Sequence, residues 1–117
     1  MSQNQLSADQ ILEIAVESLE DVKGDNITVL NVSELTDMMD FMVICTGTSK
    51  RHVNSLGQNV VEHAKSKGLQ PLGSEGRDMG SEWVLVDLYD VVVHVMTEEA
   101  RSFYDLEKLW DIKPEQR

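Results

Sequence analysis

Apolar and polar positions alternate most regularly from Trp83 to Met96, in the run Trp83-Val-Leu-Val-Asp-Leu-Tyr-Asp-Val-Val-Val-His-Val-Met96. Two stretches rich in β-branched and aromatic residues flank Tyr89-Asp90, a pattern that predicts a β-hairpin. Pairing Leu88 with Val91 across a two-residue loop sorts the side chains into two faces. One is purely aliphatic: Val84, Val86, Leu88, Val91, Val93 and Val95. The other is mixed: Trp83, Leu85, Asp87, Val92, His94 and Met96, with Trp83 opposite His94. Tyr-Asp is a weaker turn sequence than Asn-Gly, so the loop length is less firmly set than the sorting of faces. The mixed face is open to two readings. A second helix layer covers it, as in α/β sheets buried on both sides, or it stays partly exposed, with the aromatic anchor and charge of a protein-binding hot spot.

A helix follows directly. Thr97 is its predicted N-cap, and Glu98 and Glu99 suit the positive end of the helix dipole. Phe103, Leu106 and Trp110 fall on one stripe, predicted to be core. Glu98, Arg101, Tyr104 and Asp105 lie off that stripe, on a face read as solvated, with Arg101 and Asp105 forming an i,i+4 pair.

Upstream, Ser7 and Gln10 make a capping box. Ile11, Leu12, Ala15, Leu19 and Val22 continue it at helical spacing, and Gly24 ends the helix. Strands are predicted over Ile27–Val32 and Phe41–Thr46. The polar connection Ser33–Asp40, with a short helical turn, is too brief for a parallel crossover, so this pair is antiparallel. Cys45 reads as a small buried hydrophobe. A second helix runs from Ser49 to Lys67, with Val53, Leu56, Val60 and Ala64 on one face and Gly68 at its end. Gly47-Thr48-Ser49 with Lys50 and Arg51 could receive an anion. It lacks the spaced glycines and lysine of a P-loop, so a tight turn and helix cap is the preferred reading. His52 and His63 are off any common metal-ligand spacing and read as solvent-exposed. Gln70-Pro-Leu72 is a short edge strand, and Gly73–Ser81 a flexible glycine-rich loop. The whole reads as one α/β domain, 1–117, with flexible polar tails at 1–6 and 111–117.

Charge narrows the partners. The 117 residues hold 10 Lys+Arg against 21 Asp+Glu, a formal charge of −11. Specific nucleic-acid binding is not expected, because phosphate affinity comes from clustered Lys and Arg. A basic protein surface is the favoured partner. A single cysteine excludes an internal disulfide and fits a reducing compartment. There is no apolar run of about 20 residues to span a membrane. The acidic N-terminal region is unlike a signal or transit peptide. The cytoplasm is therefore the expected location.

Several segments together resemble the ribosomal silencing factor family, also called Iojap-like. They are Asp40-Phe-Met-Val-Ile-Cys-Thr-Gly-Thr-Ser49, Glu75-Gly76, Trp83-Val-Leu-Val-Asp87, Asp90-Val-Val-Val-His-Val-Met96 and Glu99-Ala-Arg-Ser-Phe-Tyr-Asp-Leu-Glu-Lys-Leu-Trp110. The likeness runs in order from Leu6 to Trp110. It implies a mixed sheet of about five strands with helices packed on it, related to nucleotidyltransferases but without catalysis or cofactor. It also implies binding to the large ribosomal subunit through its ribosomal protein number fourteen. Such binding blocks joining of the small subunit and represses translation under nutrient limitation.

On this reading Trp83, Leu85, Val92 and Met96 form the apolar centre of the contact. Asp40, Glu75, Asp87 and His94 surround it, and Tyr104 and Asp105 extend it. The same face could instead serve a homodimer. The alternative from another class is a nucleotidyltransferase-like enzyme. It would use Gly47-Thr48-Ser49 as its phosphate loop and hold a metal on Asp87 and Asp90.

Overall fold

The computed structural model describes residues 6–77 and 80–110. Residues 1–5 of the predicted tail 1–6, the tail 111–117 and the packing of the Trp110 side chain lie outside the described residues, while Leu6 is not tail but packs, partly buried, against the core. Helix α1 spans Ala8–Asp21 and opens on the expected reciprocal cap. Ser7 Oγ accepts from Gln10 N at 3.1 Å, and Gln10 Oε1 accepts from Ser7 N at 2.8 Å. Strands β1 (Asp25–Asn31) and β2 (Phe41–Gly47) follow, then helix α2 (Lys50–Ser66). Next come β3 (Gly73–Glu75), β4 (Trp83–Asp87) and β5 (Val91–Thr97), then helices α3 (Glu98–Tyr104) and α4 (Leu106–Trp110).

The five strands form one mixed sheet in the order β1-β2-β5-β4-β3. β1 and β2 are antiparallel, as the short connection requires. β2 pairs with β5 in parallel, Phe41 opposite Val91 through Gly47 opposite Thr97. That crossover is long enough to hold α2 and the β3–β4 pair. The aliphatic hairpin face packs against α1 and α2. Leu12, Ala15 and Leu19 from α1 and Val53, Leu56, Val60 and Ala64 from α2 are fully buried there. Phe41, Val43 and Cys45 extend this face along β2. Burial pushes the Cys45 thiol up to about 12, which makes it the inert core residue its position suggests.

Two elements and one ion pair differ from the sequence reading. The edge strand falls on Gly73–Glu75, not Gln70–Leu72, so part of the predicted loop is paired. Pro71 has no N–H to give a ladder, and Leu72 N makes a single bond to Asp87 O at 2.9 Å before regular pairing begins. The last helix is broken: Asp105 sits in the left-handed region at φ 50° and ψ 56°, between α3 and α4. Asp tolerates this conformation better than most residues. The break destroys the predicted stripe. Phe103 is 80 % exposed, while Leu106 packs on Leu30, Val32, Met42 and Ile44. Finally, the Arg101–Asp105 pair is replaced by Arg101–Glu107 at 2.9 Å.

Among the described residues no helix is long and apolar enough to cross a membrane. The chain has a radius of gyration of 13.1 Å and extents of 40 × 30 × 23 Å.

Helix α2 approaches the sheet most closely at Gly57, where an added Cβ would lie 2.5 Å from Val84 Cγ1. Val84 is fully buried and β-branched, so it has little freedom to give way. Gly57→Ala removes a helix penalty of about 1 kcal/mol but overpacks the interface at a cost of about 1–3 kcal/mol. The expected net result is a lowered urea midpoint. A midpoint raised to the extent helix propensity predicts would show that the layers separate freely.

Candidate functional site

The second face of the sheet is covered over one half only. Cross-strand partners share a face, so the register joins Glu75, Leu85, His94, Ile44 and Thr28 into one row. Gly73, Asp87, Val92, Met42 and Leu30 form the next. Trp83, Met96 and Thr46 form a third, at the end where α3 begins. Over β1 and β2, Met39 and Leu106 pack on the apolar side chains. Over β4 and β5, Trp83, Leu85, Asp87 and Val92 remain half-buried. Over the hairpin itself the mixed face is therefore partly exposed, at Trp83, Leu85, Asp87 and Val92, with His94 and Met96 buried.

The hairpin closes as expected, with Leu88 N donating to Val91 O at 2.8 Å. That pairing places Trp83 opposite Met96 and His94 opposite Leu85, so the expected Trp83–His94 opposition is off by one pair. The two side chains still meet, on the diagonal. Trp83 Nε1–H donates to His94 Nδ1 at 3.0 Å, with ring centroids 5.7 Å apart. Indole nitrogen is only a donor, so His94 is neutral with its proton on Nε2. Burial drives the His94 pKa down to about 4. Tyr104 also packs on Trp83, with centroids 4.7 Å apart, and Phe103 meets Tyr104 edge-on at 5.0 Å.

Met96 is fully buried and His94 is 7 % exposed. Their expected place in the exposed contact is corrected accordingly: they form the floor beneath Trp83. Glu75, Gly76, Trp83 and Leu85 line an open hollow of about 480 Å³. Gly76 is at φ +79°, and a Cβ there would lie 2.3 Å from Trp83 O, so the hollow needs glycine at its rim. Asp40 lies at the opposite end of the face, held by backbone bonds to Asp90 and Val32, both 2.8 Å. Asp87 Oδ1 accepts from Tyr89 N at 2.9 Å and stabilises the hairpin turn.

Asp105 is not brought to Trp83. It lines a separate polar cleft of about 580 Å³ with Asp25, Glu98, Arg101 and Glu107. The elbow thus divides two adjacent residues of the resemblance, Tyr104 and Asp105.

Three features of this region escaped the sequence reading. Phe103 lies exposed beside Tyr104, because the helix ends before it can turn inward. Leu30, Met42 and Ile44 continue the rows beneath Leu106, and only the register shows this. Arg101, read as solvated, is 8 % exposed and bonds residues far away in sequence.

The Gly47-Thr48-Ser49 junction behaves as a cap. Ser49 Oγ accepts from His52 N at 3.0 Å, and His52 Nδ1 accepts from Thr48 N at 2.9 Å. His52 Nε2–H then donates to Val22 O at 2.7 Å, tying α2 to the end of α1. The expectation that His52 and His63 are solvent-exposed is corrected: both are partly buried, and His63 Nε2 lies 3.6 Å from Glu17. Among the described residues no group of three or more His, Cys, Asp and Glu side chains is placed to hold a metal.

Because His94 is neutral when folded and titrates near its ordinary 6.5 when unfolded, the unfolded chain binds more protons between those limits. Stability from this residue is complete above about pH 6.5 and is lost as pH falls toward about 4, by roughly 3 kcal/mol in all. His94→Gln keeps an acceptor for the indole but does not titrate. Urea midpoints of the two proteins should diverge between pH 7 and 4.5, the parent falling further; parallel pH dependence would contradict the neutral buried imidazole.

Comparison with known proteins converges on one family. The family model described as "Ribosomal silencing factor during starvation" matches residues 5–117. A ribosomal silencing factor of Chromobacterium violaceum is 46% identical over 101 residues, covering 86% of this chain and 82% of the relative. That of Bacillus subtilis is 38% identical over 104 residues, covering 89% and 87%. A Mus musculus protein named "Mitochondrial assembly of ribosomal large subunit protein 1" is 31% identical over 105 residues, covering 87% of this chain and 46% of its own length. An X-ray structure of a C. violaceum protein superposes with a TM-score of 0.88 at 42% identity, covering 95% of this chain and 92% of that one. Together with the sheet topology, these matches show that the chain belongs to the ribosomal silencing factor family.

Proposed function

We propose that this protein binds the large ribosomal subunit through its ribosomal protein number fourteen, using the half-open face around Trp83. Occupying that position blocks docking of the small subunit and represses translation when nutrients are limited. The observation that carries the reading is the uncovered half of the sheet. Trp83, Leu85 and Val92 form an apolar centre, Glu75, Asp87 and Asp40 place carboxylates around it, and Tyr104 extends it past Trp83. An aromatic centre with a polar rim is the composition of a hot spot.

Family membership supports the ribosome as the partner, and the name of the murine relative points to the large subunit. The net charge of −11 suits a basic ribosomal protein and opposes neighbouring rRNA phosphates. Nothing in this role needs catalysis. A body of 40 × 30 × 23 Å seated where two subunits meet obstructs them by volume alone. The setting is the cytoplasm, where translating ribosomes are. A second copy covering the same apolar centre would compete with the ribosome, so self-association would lower activity.

Two substitutions test the face. Trp83→Ala should weaken binding to purified large subunits by about 2 kcal/mol or more, and Glu75→Lys should weaken it further at low salt than at high salt. Both should restore subunit joining, followed by light scattering, in proportion to lost binding. Tight binding by a folded Trp83→Ala protein would remove this face from the interface. Binding without any block of joining would leave the contact but overturn the steric mechanism.

A further inference from the structure

We infer that Arg101 is the positioning residue of the docking face: its guanidinium clamps α3 and α4 to the β1–β2 edge and so sets Tyr104 against Trp83. The inference rests on the docking reading above for its consequence in binding, but its geometry stands alone.

Helix α3 leaves β5, the middle strand of the sheet, and has side chains reaching to both sides of it. Toward one side Arg101 Nη1 donates to Asn26 O at 2.6 Å and to Thr46 Oγ1 at 2.9 Å. Its Nη2 donates to Thr28 Oγ1 at 2.8 Å and to Glu107 Oε2 at 2.9 Å. Toward the other side, one turn later, Tyr104 packs on Trp83 of β4. A seven-residue helix has few contacts with which to fix its own rotation. Two side chains straddling β5 fix it, one by hydrogen bonds and one by ring packing.

The planar fork matters. It serves two strands and a second helix at once, which a lysine ammonium on a flexible stem cannot reproduce. Glu107 supplies the counter-charge from beyond the elbow, so the same group also holds α4, whose Leu106 covers the closed half of the sheet. Among the described residues Arg101 is the only buried Lys or Arg. A buried cation needs its partners in place, and here the partners sit on β1, β2 and α4, on the side of β5 away from Trp83.

The test uses the full chain in a Trp110→Phe background, so that Trp83 is the one remaining tryptophan of two. Arg101→Lys and Glu107→Ala are compared with Tyr104→Ala by far-UV circular dichroism, Trp83 emission and affinity for large subunits. Expected are native helix content, an emission change matching that of Tyr104→Ala, and affinity lowered about tenfold. In the Tyr104→Ala background neither change should lower affinity further, because both act through that ring. Unchanged emission and affinity in folded Glu107→Ala overturn the inference. So do losses that add in full to Tyr104→Ala, which would make Arg101 a stability residue alone. If Arg101→Lys does not fold, Glu107→Ala decides. If the parent protein does not bind large subunits, the docking reading fails while the emission comparison still decides the positioning.

Discussion

The parallel pairing of β2 with β5 is the contact on which the rest of the structure depends. It puts β2 in the interior, with all seven residues buried, between an antiparallel neighbour and a parallel one. Odd positions (Phe41, Val43, Cys45) enter the core under α1 and α2, and even positions (Met42, Ile44, Thr46) enter the opposite face. Because β5 lies beside β2, the hairpin's aliphatic side continues the first core and its mixed side continues the second. The helices α1 and α2 fill the first completely. On the second, Leu106 covers only β1 and β2, and the remaining half is where Trp83 stands. The docking surface proposed above is this incomplete layer.

Polar groups inside this layer are few, and each has a defined partner. His94 is held neutral by burial and serves as acceptor for the Trp83 indole. Arg101 pairs with Glu107 and with backbone and hydroxyl oxygens. In a low-dielectric setting such groups are costly when unpaired and specific when paired. His94 holds Trp83 at its indole nitrogen and Tyr104 packs on its ring. An anchor residue held in one rotamer loses less entropy on binding than a mobile one. Sequence likeness gives the family, and packing gives the half-open face that we propose as its contact surface.

Much of this was legible in the residues. The alternation from Trp83 to Met96 predicted the hairpin and the residues on each face, since a strand's period of two admits one clean sorting. Capping residues at Ser7, Ser49 and Thr97 marked three helix starts, because the N-cap interaction is local. The site was less legible. Leu85, Val92 and Trp83 fall on the half-open face, but Met96 and His94 share that face and are buried. Alternation tells which side a residue is on and not what covers that side.

What the sequence by itself determined is therefore the set of short-range facts: strand faces, helix caps, the antiparallel β1–β2 pair, and a charge balance that favours a basic protein over nucleic acid. Tertiary structure alone decided the strand order, the break at Asp105, the exposure of Phe103, and the burial of Arg101. The physical reason is range. Caps and alternation act within a few residues, whereas Arg101 finds Asn26 and Thr28 more than 70 positions away. Over β1 and β2 the second face is buried because Met39 and Leu106 fold back over it, which no local pattern encodes.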